Sequence, residues 1–137
     1  MPKGETMTNQ GYIAAILTPD SADALREIAI HPHLHCHHLT LAYRPDEVAW
    51  HRFGSLVGTR VRLRAIAHAW DLRGQAVVVS GIESCNAVPH ITVSCAAGTK
   101  PVYSNELLAR VCVRDQYEGA ECIDLELEAY VEFVPFI

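Results

Sequence analysis

The sequence has no C-x-x-C pair, no long uncharged apolar run and no surplus of positive charge, and each absence removes a class of protein. Its five cysteines, Cys36, Cys85, Cys95, Cys112 and Cys122, are odd in number and scattered, which argues against a disulfide framework or a zinc ribbon and leaves reduced, mainly structural thiols. No apolar stretch approaches the ~20 residues that span a bilayer, and the opening MPKGETMTNQ is polar, without the apolar core of a signal peptide. A soluble, cytoplasmic protein with no membrane partner is expected. The net charge is -5, with Lys and Arg interspersed among acids. Binding along a nucleic-acid backbone rests on many cation–phosphate contacts, so an extended nucleic acid is not the expected partner; a nucleotide or the end of an RNA is.

What is present fits one compact domain: 137 residues, half of them apolar. Residues 1–10 read as a polar tail and 11–137 as the domain. Gly11 to Leu17 (GYIAAIL) has the look of a buried strand. Thr18 then caps a helix with Pro19 at its first position; Ala22, Leu25, Ile28 and Ala29 form its apolar stripe, and it is expected to stop near His31-Pro32. His38 to Tyr43 reads as a strand closed by Arg44-Pro45-Asp46, with an irregular stretch through Gly58. Arg60 to Trp70 alternates, with Val61, Leu63, Ala65, Ala67 and Ala69 on one face and Arg60, Arg62, Arg64 and His68 on the other. Asp71 to Gly74 is a hairpin turn into a strand over Gln75 to Ile82. A strand over Pro89 to Ala96, a helix from Ser104 or Asn105 through about Val113 and a last strand over Cys122 to Val134 complete the chain. The order predicts an α+β domain, mainly antiparallel sheet with helices outside.

Two tetrapeptides fit one template, His-apolar-Thr-apolar: His38-Leu39-Thr40-Leu41 and His90-Ile91-Thr92-Val93. Residues two apart on a strand share a face, so in each copy the imidazole and the hydroxyl point one way and the apolar pair points into the core. If the copies sit on neighbouring strands related by an approximate two-fold axis, two histidines and two threonines converge on one cleft. Phosphodiester cleavage without a metal needs a base for the attacking oxygen, an acid for the leaving oxygen and donors for the non-bridging oxygens. That set supplies all three, and histidine, titrating near neutrality, suits both proton roles and predicts a bell-shaped pH–rate profile.

These paired H-x-T motifs, in their strand context, resemble the 2H phosphoesterase superfamily, which includes the LigT-like RNA cyclic phosphodiesterases. HHLTLAYRP (His37 to Pro45) and PHITVSCAAGTKPVYSNELL (Pro89 to Leu108) are most similar to the cyclic phosphodiesterase domain of fungal and plant tRNA ligases and its small stand-alone relatives. The resemblance implies a bilobal α+β fold with a central cleft and hydrolysis of a 2',3'-cyclic phosphate, or of another cyclic or 2'-linked nucleotide, with no metal or other cofactor. Carried over, it makes His38 and His90 acid and base, in an order left open, and gives Thr40 and Thr92 the phosphate oxygens. Beyond the motifs, Lys100, Ser104 or Asn105 at a helix start could meet a phosphate or base. Tyr43 and Tyr103 could stack on a base, against the alternative that they pack at the sheet edge.

Competing readings attach to several residues. His38 and His90 could be core-edge imidazoles satisfied by the backbone, but their duplicated context favours catalysis. The run His31, His33, His35, His37, His38 invites a metal reading, yet apart from Cys36 no acidic or thiol ligand set closes it, and no metal site is expected. Arg60, Arg62 and Arg64 read as a solvated face paired with acids before they read as an RNA surface. Nothing singles out His51 or His68, and Cys95 is assigned no chemistry. The alternatives in function are the same chemistry on a signalling nucleotide, such as a 2'-5' oligoadenylate or a cyclic oligonucleotide as in phage relatives, and a nucleotide-binding module without turnover. The sequence does not give the oligomeric state.

Overall fold

The structure, a computed structural model, describes residues 8–111 and 120–136. Most of the expected polar tail and the last two residues of the helix expected through Val113, Cys112 among them, lie outside the described residues. Residues 8–10, read as tail, are tied to the fold: the Trp50 indole N–H donates to the Thr8 carbonyl at 2.9 Å and the Phe136 amide to the Gln10 carbonyl at 2.8 Å.

The elements run β1 (Gly11–Leu17), α1 (Pro19–Arg26), β2 (His33–Leu34), β3 (His38–Tyr43), α2 (Glu47–Phe53), β4 (Arg60–Trp70), β5 (Gly74–Ser80), β6 (His90–Cys95), α3 (Tyr103–Val111) and β7 (Glu121–Pro135). All strand pairings are antiparallel, and they close: β6, β3, β1, β7, β4 and β5 follow one another, and β5 pairs back to β6. The result is a six-stranded barrel, with the short β2 laid on β6 ahead of β3. Antiparallel sheet with helices outside is what the sequence pattern predicts. No helix among the described residues is long and apolar enough to cross a membrane.

The core divides in two. Ile13, Leu39, Leu41, Leu63, Ala65, Val77, Val79, Ile91, Leu127 and Val131 belong to one cluster, which α1 and α2 join through Leu25, Trp50 and Phe53. Ala67, Ala69, Ala76 and Val78 form the second with Tyr103, Leu107 and Leu108 of α3. Strand β5 is therefore buried on both faces. Strand β4 changes sides because a register shift falls between Ala65 and Ala67 against both β5 and β7. That shift overturns the expected single alternation: Leu63 and Ala65 serve one cluster, Ala67 and Ala69 the other, and His68, expected in solvent, is 8% exposed.

Two further departures have local causes. Helix α1 begins as expected, with the Thr18 hydroxyl accepting from the Ser21 amide, but it ends at Arg26 rather than near His31. The buried Gln75 carboxamide takes the Ile28 carbonyl (2.6 Å) and the Ile30 amide (3.0 Å), so these groups leave the helical ladder before Pro32 could stop it. The stretch expected to be irregular holds α2. Asp46 caps it by accepting from the Ala49 amide at 2.8 Å, and Ala49, Trp50 and Phe53 bury its inner face.

Candidate active site

The two motif strands are neighbours. Leu39 of β3 lies opposite Ile91 of β6, and continuing that antiparallel register sets His38 against Thr92 and Thr40 against His90. Leu39, Leu41, Ile91 and Val93 have no exposed surface, each burial contributing about 1.5–3 kcal/mol to holding its strand in place. The alternate residues face the other way, as expected: His38, Thr40, His90 and Thr92 all line one cavity of about 800 Å³, within the usual size of a small-molecule site. Among the described lining residues there is no carboxylate and no Lys or Arg; the polar groups are imidazoles, hydroxyls and the amides of Asn86 and Asn105.

The two histidines are held differently. His90 Nδ1 lies 2.7 Å from the Val88 carbonyl. A carbonyl only accepts, so Nδ1 carries the proton and, in the neutral ring, Nε2 is bare. Burial pulls the His90 pKa down against this hydrogen bond, which raises it. His38 is pushed down to about 4, first by burial and then by His37, His35 and His90. Its Nδ1 sits 2.9 Å from His37 Nδ1. Both rings are thus neutral at pH 7, the state in which one can accept and the other donate a proton.

The two hydroxyls also differ. Thr92 Oγ1 lies 2.8 Å from Ser104 Oγ and 3.3 Å from the Pro101 carbonyl, whereas no protein group among the described residues bonds the Thr40 hydroxyl.

Of the other residues singled out in the sequence, Tyr43 and Asn105 line the cavity, and Lys100, Tyr103 and Ser104 do not. Lys100 is exposed, beside Pro101 and Val102 of the wall. Tyr103 is 6% exposed and packs under α3. Its hydroxyl donates to Asp71 and accepts from Arg110, and a Cβ on Gly74 would come within 2.9 Å of its ring. A ring so enclosed has no face left for a base, which corrects the stacking expectation. Ser104, 3% exposed, stands behind Thr92 as its partner rather than in the cavity. The sequence reading missed Tyr12, His35, His37, Asn86 and Phe136 in the wall. Phe136 meets Tyr43 edge-on at 5.4 Å and Tyr12 at 6.4 Å, and the Arg44 guanidinium lies 4.7 Å from its ring. This makes an aromatic wall with a cation on its rim.

The histidine run does not assemble as a metal site: among the described residues no three His, Cys, Asp or Glu side chains are placed to share an ion. The Cys36 thiol turns inward and donates to the Val93 carbonyl at 3.3 Å.

A family model for the fungal tRNA ligase phosphodiesterase domain matches residues 31–134, a stretch containing both motifs and most of the barrel. The chain belongs to this family. It is the family to which the paired motifs point, a phosphodiesterase family of the 2H type. The crystal structure of a fungal RNA kinase is similar in fold, with a TM-score of 0.57 and 16% identity over 92% of this chain. The chain spans only 44% of that protein's chain. No curated protein sequence matches.

Proposed function

We propose that the chain is a metal-independent phosphodiesterase that opens 2',3'-cyclic phosphates on nucleotides or RNA ends. The observation that carries the reading is the convergence of both motifs, Leu39 opposite Ile91, on one cavity with no carboxylate among its described lining residues. On this reading the cavity is the cleft between the two lobes of a single domain. One histidine takes a proton from water as the new P–O bond forms; the other gives a proton to the ribose oxygen as the old P–O bond breaks, leaving a phosphomonoester. The Thr40 and Thr92 hydroxyls donate to the non-bridging oxygens. Tyr43, with Phe136 behind it and Arg44 on the rim, suits a nucleobase next to a phosphate, and Asn105 can hydrogen-bond a base edge. A cavity of this size takes a nucleotide or a strand end rather than a duplex. The unpaired thiols of Cys36, Cys85, Cys95 and Cys122 fit a reducing, cytoplasmic setting.

The test incubates EDTA-treated protein with adenosine 2',3'-cyclic phosphate, an RNA ending in a cyclic phosphate, 2'-5' oligoadenylate and 3',3'-cyclic dinucleotides. Turnover of the first two, reduced by about 10²–10⁴ in both His38→Ala and His90→Ala, is the expected result. Turnover of only the signalling nucleotides would move the substrate, and alanine variants equal to wild type would end the catalytic reading.

A further inference from the structure

His37 and His38 are consecutive, and in a regular strand their side chains would point to opposite faces. Here their rings meet edge to face, with centroids 5.1 Å apart and Nδ1 atoms 2.9 Å apart. The cause is a bulge. Leu34 lies opposite Ser94 and Leu39 opposite Ile91, so five steps on one side span three steps of β6. Cys36 absorbs the excess with a φ of +47°, a left-handed conformation that is unfavourable for a non-glycine residue. It is held there by its buried thiol on the Val93 carbonyl and by its amide on the Thr92 carbonyl at 3.0 Å. The His37 carbonyl is fixed as well, accepting from the Leu17 amide at 2.9 Å. Bulges beside active sites re-aim side chains, and this one turns His37 onto His38.

Two imidazole nitrogens at this distance hold one proton between them, so one ring donates and the other is forced into the opposite tautomer. The direction follows from the surroundings. His38 is part-buried and faces His35 from the preceding segment, His90 from β6 and Tyr12 from β1. His37 is exposed, so water can hydrogen-bond its bare Nε2 while its Nδ1–H donates to the part-buried His38. We infer that His37 is a positioning residue that sets His38 as the proton donor of the reaction, by holding its Nε2–H tautomer and refilling it from solvent. His90, with Nδ1–H on the Val88 carbonyl and Nε2 bare, is then the base.

The step balances. Nε2 of His38 gives its proton to the leaving ribose oxygen, which keeps the electron pair of the broken P–O bond. Nδ1 of His38 takes the proton from Nδ1 of His37, whose Nε2 takes one from solvent. The pair resets when His38 Nε2 regains a proton from solvent, the Nδ1 proton returns to His37 and His37 Nε2 gives its proton up, while His90 releases to solvent the proton it took from water.

The inference rests on the phosphodiesterase reading, and its test separates the two. Nitrogen-15 NMR of the His38 ring, at a pH where it is neutral, reads the tautomer without any substrate; hydrolysis of adenosine 2',3'-cyclic phosphate reads the chemistry. Wild type should show His38 protonated at Nε2. His37→Phe, which keeps a ring and loses the donor, should shift His38 toward Nδ1–H and lower kcat about 10- to 100-fold with KM within about twofold. His37→Gln, whose amide can donate but not relay, should keep the tautomer, recover part of the rate and flatten the pH dependence of kcat. A His38 tautomer that is Nδ1–H in wild type, or unchanged in His37→Phe, overturns the inference whatever the activity. An inert wild type in which the tautomer does switch overturns the phosphodiesterase reading and supports the coupling of the rings.

Discussion

Two groups of histidines in this barrel, built from the same side chain, have opposite surroundings. His68 is locked: its Nε2 meets the Gln75 carboxamide at 2.7 Å, and Gln75, with no exposed surface, also bonds Ile28, Ile30 and Ser94, while Ser94 Oγ accepts from the His31 amide. The other His68 nitrogen, Nδ1, lies 3.6 Å from a Glu121 carboxylate oxygen, and the network ties the chain after α1 to β4, β5 and β6. His38 and His90 each have only one ring nitrogen engaged by protein, among the described residues, and stand in a cavity. Burial alone therefore does not mark a functional histidine; a buried ring that lines a cavity does.

The comparison is broken most severely from the locked side. Gln75→Leu leaves His68 Nε2, the Ser94 hydroxyl proton and two backbone groups without partners, and urea denaturation should show a loss of about 3 kcal/mol, from several buried groups at about 1–3 kcal/mol each. A loss under 1 kcal/mol would mean that the network is not what holds the segment.

A smaller effect sharpens the open side through pH. The folded-state pKa of His38, about 4, lies below the ordinary value near 6.5, so between these limits the unfolded chain binds the extra proton and stability falls as pH falls. From pH 7.5 to pH 5 the fold should lose about 2 kcal/mol through His38, and His90 acts in the same direction. His38→Asn should remove its share of that slope; a slope equal to wild type would place the titration elsewhere.

The smallest effect concerns the unequal threonines. Ser104→Ala removes the partner of Thr92 and should raise KM for a cyclic phosphate a few-fold, about 0.5–1 kcal/mol, with kcat nearly unchanged. Thr40, which has no such partner among the described residues, provides the internal control, since Ser104→Ala should not alter the further effect of Thr40→Val.

The parts legible in the sequence are those specified locally. Alternation marks the strands, Thr18-Pro19 the start of α1, and the repeated His-x-Thr the two strands that meet. What was hidden depends on partners distant in sequence. The capture of Ile28 and Ile30 by Gln75 shortened α1 across a gap of 45 residues and more. The register shift in β4 is invisible to a hydropathy pattern that runs straight through it. Helix α2 has only two turns and begins behind Arg44-Pro45-Asp46, whose turn chemistry also serves as a cap. His35 and His37 were conspicuous only as a possible metal tract, because without the bulge at Cys36 nothing predicts that consecutive residues share a side. Phe136 carried no signal, since it reaches the cavity only through the pairing of β7 with β1.

That last pairing also bears on how the site comes to exist in time. Gly11 lies opposite Pro135, so the barrel closes by joining segments near opposite ends of the described chain, a high-contact-order step that belongs to the slower end of single-domain folding. During synthesis both histidine motifs emerge well before β7, on strands whose apolar faces and edges await their neighbours. Until β7 arrives, β1 and β4 have unpaired edges and the cavity lacks its Phe136 wall, so the interval before closure is when the chain is most exposed to aggregation.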